Sequence, residues 1–261
     1  MWFALLVSCC LLAPCVHSEP SEWAKDFPAC GGQKQSPINI VTHKTRLEPC
    51  LTPIVFEGYT QTLNVTVQNT GNTAVFELPP SLRIRGGDLP DTYNAVQLHL
   101  HWGMDDEPGS EHTLDGEQYA MELSTEENQK FNQVIQALGR IPYNGNTSIV
   151  PEFRLTDILP SLEKLSSYYR YSGSLTTPGC NEGIIWTVFK KSSFISQQQL
   201  MNVTKQMRFE TGKPMIKNFR PVQKLNERTV YKSTAVFLMS SGPVFLCLCL
   251  FCMFVLTENI F

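Results

Sequence analysis

Hydrophobic and polar positions alternate along much of the chain. From Thr62 onward Leu63, Val65 and Val67 interleave with Asn64, Thr66 and Gln68, which predicts a strand with one buried face. Residues 74–78 and 82–85 read as further short strands, set off by turn residues at 69–72 and by Pro79-Pro80. Gly86-Gly87 and Pro90 then mark a loop. Residues 95–102 predict another strand: Gln97, His99 and His101 share one face, Leu98, Leu100 and Trp102 the other. Residues 117–123 alternate again, with Gln118, Ala120 and Glu122 opposite Tyr119, Met121 and Leu123. Residues 184–189 form a hydrophobic strand. One helix stands out. Ser124-Thr125-Glu126-Glu127 is a capping-box pattern, and Phe131, Val134, Ile135 and Leu138 follow at helical spacing before Gly139. Residues 19–58 are loop-like, with short apolar pieces at 38–41 and 54–56.

The two ends break this texture. Residues 1–18 carry an apolar run with Val16 and Ser18 at the −3 and −1 positions of a signal-peptidase site, although the start lacks Lys and Arg. Residues 236–256 are free of charge. Ser233, Thr234 and Ala235 before them fit the attachment positions of a glycosylphosphatidylinositol (GPI) signal. The same stretch is long enough to span a bilayer, but no Lys or Arg follows it. A lipid anchor is therefore expected, with a transmembrane helix as the alternative. The chain divides into a signal peptide (1–18), one domain (19–233) and a hydrophobic C-terminal anchor segment (234–261).

Composition narrows the function. With 21 basic and 24 acidic side chains the net charge is −3, which excludes a nucleic-acid binder that relies on a bulk positive field. Nine cysteines reduce to Cys30, Cys50 and Cys180 once both ends are set aside, so one disulfide at most can form. Sequons at Asn64, Asn146 and Asn202 fit a lumenal route and are the expected glycosylation sites. The strongest candidate chemistry is the His99-x-His101 pair. Two imidazoles two residues apart on a strand lie about 7 Å apart and can reach one cation. The competing reading is a pair of structural histidines on a polar strand face.

Six motifs occur in order: Gln35-Ser36-Pro37-Ile38-Asn39-Ile40, Gln97-Leu98-His99-Leu100-His101-Trp102-Gly103, Ser110-Glu111-His112, Gly173-Ser174-Leu175-Thr176-Thr177-Pro178, Trp186-Thr187-Val188 and Asn218-Phe219-Arg220-Pro221. In these the chain resembles the α-class carbonic anhydrases, and most of all the membrane-anchored extracellular type IV and type XV branch. The resemblance runs from about Trp23 to Val230. It implies an α+β, β-dominated fold: one large, twisted, mostly antiparallel central sheet with short peripheral helices. It also implies a Zn2+ enzyme that interconverts carbon dioxide and bicarbonate on the extracellular face of the plasma membrane, held there by the C-terminal anchor. Carried over, His99 and His101 are metal ligands. Thr176 accepts a hydrogen bond from the metal-bound hydroxide and donates one to Glu111. Thr177 and Leu175 face the substrate, Gln97 and Glu122 support the ligand imidazoles, and Cys30 pairs with Cys180 to steady the Thr176 loop.

The pattern breaks after Glu122. The family continues Glu-x-His there, and that histidine is the third zinc ligand. Here the position is Ser124, and none of the five histidines is spare. In the family the rest of the ligand strand, a loop and a second apolar strand precede the amphipathic helix; here the strand runs straight into it. An internal deletion is expected, leaving either a silent carbonic anhydrase-like surface protein or a truncated isoform unless Glu122 or Glu126 replaces the ligand. Asn72 occupies the position of a proton-shuttling histidine, and an amide cannot titrate near pH 7.

Overall fold

The structure is a computed structural model that describes residues 20–104, 107–119, 122–124 and 127–234. The expected signal peptide, nearly all of the anchor segment, and Ala120, Met121, Thr125 and Glu126 lie outside the described residues. Among the described residues, no helix is long and apolar enough to cross a membrane.

The chain is sheet-rich, mostly antiparallel, with a few short helices. The alternation at 63–68 becomes the strand Leu63–Asn69, with Val65 and Val67 buried. It lies between Thr147–Phe153 and Ala74–Glu77, and Gln97–His99 completes a four-stranded antiparallel sheet. A second four-stranded sheet runs Glu182–Phe189, Tyr168–Ser174, Tyr231–Lys232, Arg46–Leu47, with only the last pairing parallel. This β-dominated, mostly antiparallel architecture with short helices is the fold expected from the sequence; among the described residues the two four-stranded sheets end on Thr147–Phe153 and Gln97–His99, and on Glu182–Phe189 and Arg46–Leu47.

Three predicted elements differ. The strand expected over 95–102 is regular only at Gln97–His99. Its face pattern nonetheless holds, because Leu98, Leu100 and Trp102 are buried in the main core while Gln97, His99 and His101 are half-buried. The strand expected over 117–123 divides into Glu117–Gln118 and Glu122–Ser124. The helix expected from Ser124 starts later, as a 3₁₀ turn Gln129–Phe131 followed by Asn132–Leu138. Ser124 is drawn into a short parallel ladder with Ser196, so its backbone is extended rather than helix-capping. A capping box does form, at Ser196 instead. The Ser196 hydroxyl accepts from the Gln199 amide at 3.2 Å, and the Gln199 side chain accepts from the Ser196 amide at 3.2 Å, starting the helix Gln197–Gln206.

Candidate functional site

Asn218 holds the histidine strand in place. Its side-chain oxygen accepts from the Trp102 amide at 2.7 Å, and its side-chain nitrogen donates to the Leu100 carbonyl at 3.2 Å. Its own carbonyl lies 2.6 Å from His101 Nδ1. A carbonyl only accepts, so Nδ1 carries a hydrogen and Nε2 is the ring nitrogen turned to the site. That Nε2 is buried without a hydrogen-bond partner and sits 3.5 Å from Glu111 Oε2. The His99 ring lies 4.9 Å away, centroid to centroid, nearly perpendicular to His101. Desolvation by the surrounding protein, with His101 beside it, pushes the His99 pKa down to about 3, so this imidazole is neutral at physiological pH. Neutral imidazoles are the form that ligates a metal.

Glu111 is buried, and its Oε1 accepts from the Arg220 amide at 3.2 Å. Thr176 is buried too, but its hydroxyl has no hydrogen-bond partner. The hydrogen bond expected from Thr176 to Glu111 is therefore not formed. Leu175 is buried and Thr177 half-buried on the same loop. The loop closes on itself, with Leu175 N donating to Asn181 O and Cys180 N to Thr177 O, both at 3.0 Å. Cys30 and Cys180 form the disulfide, with Cα atoms 4.9 Å apart. Buried Arg220 clasps the other side, donating to Cys30 O, Gln35 Oε1 and Ser36 O at 3.0, 2.9 and 2.8 Å. Cys50 is exposed and takes part in no disulfide.

Of the two supporting positions expected from the sequence, one is described by the structure and the other is not. No hydrogen bond joins Gln97 to His99 or His101 among the described residues. Glu122 contributes its backbone to the ladder with Phe194, and its side chain lies outside the described residues. Asn72 is exposed, and its carbonyl accepts from Asn218 at 3.4 Å. Of the sequons, Asn64 is exposed and Asn146 and Asn202 are half-buried.

A buried relay that no single motif announced lies beneath the Thr176 loop. His112 Nε2 meets the Tyr171 hydroxyl at 2.7 Å, which meets Ser36 Oγ at 2.8 Å. Ser174 N donates to Ser36 Oγ at 3.0 Å, and the Trp186 indole donates to Ser174 O at 2.9 Å. Gly173 has to be glycine here, since a β-carbon would run into Ser36 Oγ and the Tyr171 and Trp186 rings. The residues of this relay all lie in the quoted motifs except Tyr171, and only their contacts across the fold reveal the connection.

A model of the eukaryotic-type carbonic anhydrase family matches residues 18–125 and 123–234. The chain belongs to that family. Rat (Rattus norvegicus) carbonic anhydrase 4 is 38% identical over 260 residues, covering 87% of this chain and 83% of its own length. Human (Homo sapiens) carbonic anhydrase 12 is 36% identical, covering 82% and 70%. Mouse (Mus musculus) carbonic anhydrase 15 is 32% identical, covering 88% and 84%. By family resemblance the chain falls among the carbonate dehydratases, lyases that hydrate carbon dioxide. The two halves of the match meet at 123–125, where the sequence predicted a deletion. Of 261 residues, 87% is about 227, so the 260-long alignment with rat carbonic anhydrase 4 leaves about 33 positions with no residue of this chain opposite them.

The family is generally zinc-dependent, and part of a donor set for that ion is present here. His101 Nε2 is a buried ring nitrogen with no hydrogen-bond partner, and His99 is its neighbour. Among the described residues, however, no group of three or more His, Cys, Asp or Glu side chains is placed to hold a metal. A catalytic zinc takes three protein ligands and one open position. Two imidazoles do not complete that set.

Proposed function

We propose that this chain is a carbonic anhydrase by descent, carried to the extracellular face of the plasma membrane by the signal peptide at 1–18 and kept there by a GPI anchor attached near Ser233. Its ancestral reaction is the reversible, zinc-dependent hydration of carbon dioxide. As written, the chain binds zinc weakly and turns over little, so it behaves as a carbonic anhydrase-like surface domain. The observation that carries this reading is the buried, unpartnered Nε2 of His101 beside His99, with no third donor among the described residues.

The rest of the pocket retains its ancestral character. Leu175 supplies an apolar wall and Thr177 a hydroxyl on the side where carbon dioxide and bicarbonate would lie. Glu111 is fixed by the Arg220 amide. Asn at position 72 offers no titrating group for proton export. Glycans at Asn64, Asn146 and Asn202 accord with passage through the secretory route.

Purified chain, loaded with zinc and dialysed, is expected to hold well under one zinc per molecule and to hydrate carbon dioxide near the uncatalysed rate. Stoichiometry near one, with hydration that a carbonic anhydrase inhibitor abolishes, would overturn the proposal.

A further inference from the structure

We propose that the sheet face turned away from His112, on the strands Tyr168–Ser174 and Glu182–Phe189, binds a short-chain carboxylate, with its head on Arg170 and its tail in an apolar cavity. Side chains on these paired strands alternate between two faces. Tyr171 and Trp186 pack against His112 on one of them. Arg170 points the other way, beside Thr187, to whose hydroxyl its Nε donates at 3.0 Å. Ile185 and Phe189 share that second face with it.

Arg170 is only 7% exposed. Its Nη1 donates to the Gly87 carbonyl at 2.9 Å and its guanidinium lies 5.4 Å from the Tyr168 ring centre, but Nη2 is buried with no hydrogen-bond partner. Among the described residues no Asp or Glu forms an ion pair with it. A guanidinium stays charged when buried, so leaving it without an anion is costly. It borders a recess of about 370 Å³, together with Glu48, Asp88 and Tyr231. Glu48 accepts from the Cys50 amide at 3.1 Å, and Asp88 is exposed to water. The uncompensated charge of the recess is therefore the cation.

An apolar cavity of about 110 Å³ adjoins the recess, and Ile185 lines both. Across the cavity stands the three-stranded sheet Ile54–Glu57, Arg83–Gly86, Tyr93–Asn94. Phe56 of that sheet is central to the wall, its ring 5.0 Å from Tyr59 and 6.0 Å from Phe189, centre to centre. Ile185 is 40% exposed, so the shared wall reaches the surface and gives a ligand its way in. At ~30 Å³ for a water-sized group, the cavity takes roughly three to four methylenes, and the carboxylate with the carbon beside it brings the ligand to about six carbons. An apolar cavity joined to one buried, unsatisfied charged donor has the make-up of a small-molecule site, and the donor fixes which end of the ligand faces which way.

The test adds hexanoate to the full chain and follows binding by calorimetry, with hexanol, acetate and hexylamine as controls. One hexanoate per chain and a raised melting temperature are expected. Hexanol, which brings no charge to Nη2, should bind at least roughly tenfold more weakly, and acetate and hexylamine should not bind detectably. Ile185→Trp enlarges the partly exposed shared wall and should abolish hexanoate binding while leaving the free chain's melt unchanged. Should that variant fold poorly, amide chemical shifts of the unaltered chain decide: hexanoate should move those of Arg170, Ile185 and Thr187 and leave those of His99 and His101 in place. No binding, equal binding of hexanol, or shifts centred on the two imidazoles would overturn the inference. So would a preference for hexylamine, which would assign the recess to Glu48 and Asp88.

Discussion

At the scale of single residues the buried imidazoles set the chemistry and the pH response. His112 is enclosed against Tyr171 and Trp186, and burial, with a smaller contribution from His101, pushes its pKa down to about 3. An unfolded imidazole titrates near 6.5. Between those values the unfolded chain binds more protons than the folded one, so stability is full above about pH 6.5 and falls as pH drops toward 3. His112→Gln removes one titrating site from this window. Comparing urea midpoints at pH 7 and pH 4.5, the variant should lose less stability on acidification than the parent; an equal loss would show that His112 is not the group responsible. The pairing of His99 with His101 was readable because period-two alternation fixes their common face. The role of Asn218 was not, since it reaches the histidine strand across more than a hundred residues of chain, and no local pattern reports that contact.

At the scale of elements the capping box shows how a correct local rule can be applied at the wrong place. Ser124 and Ser196 both begin a Ser-x-x-Glu/Gln pattern, and they end up paired with each other in one short parallel ladder. Only Ser196 is followed by a helix at once. Its partner Gln199 also accepts from the Asn128 amide at 3.0 Å and donates to Asn132 Oδ1 at 2.6 Å, tying this helix to the start of the Asn132–Leu138 helix. Ser196→Ala should therefore lower stability by about 1 kcal/mol, measured by chemical denaturation, and a neutral result would mean that the cap is dispensable. Strands with one buried face were legible from alternation. The end of the ladder at His99 was not, because the alternation runs on through Leu100 and Trp102 without reporting which backbone groups are paired.

At the scale of the whole molecule the Cys30–Cys180 link spans 150 residues and joins the 3₁₀ turn Pro28–Gly31 to the Thr176 loop. Replacing Cys180 with Ser should cost roughly 2–5 kcal/mol, read as a lower denaturant midpoint, and leave the secondary structure unchanged at low temperature. A midpoint within error of the parent would show that Arg220 alone suffices to hold these segments together.

The Arg220 clasp also dictates an order of assembly. The loop from Cys30 to Ser36 is among the first parts of the domain to be made, yet its carbonyls are capped by a guanidinium near the domain's end. Ile38 bridges to Gln223, and Arg46 pairs with Tyr231. Asn39–Ile40 can pair earlier with Thr113–Leu114, but these contacts with the end of the domain must wait until almost the entire domain has left the ribosome. Under the lumenal route and tail anchor proposed above, closure is deferred until just before the apolar tail arrives, and completion of the fold and engagement of the membrane are then expected to be nearly simultaneous events.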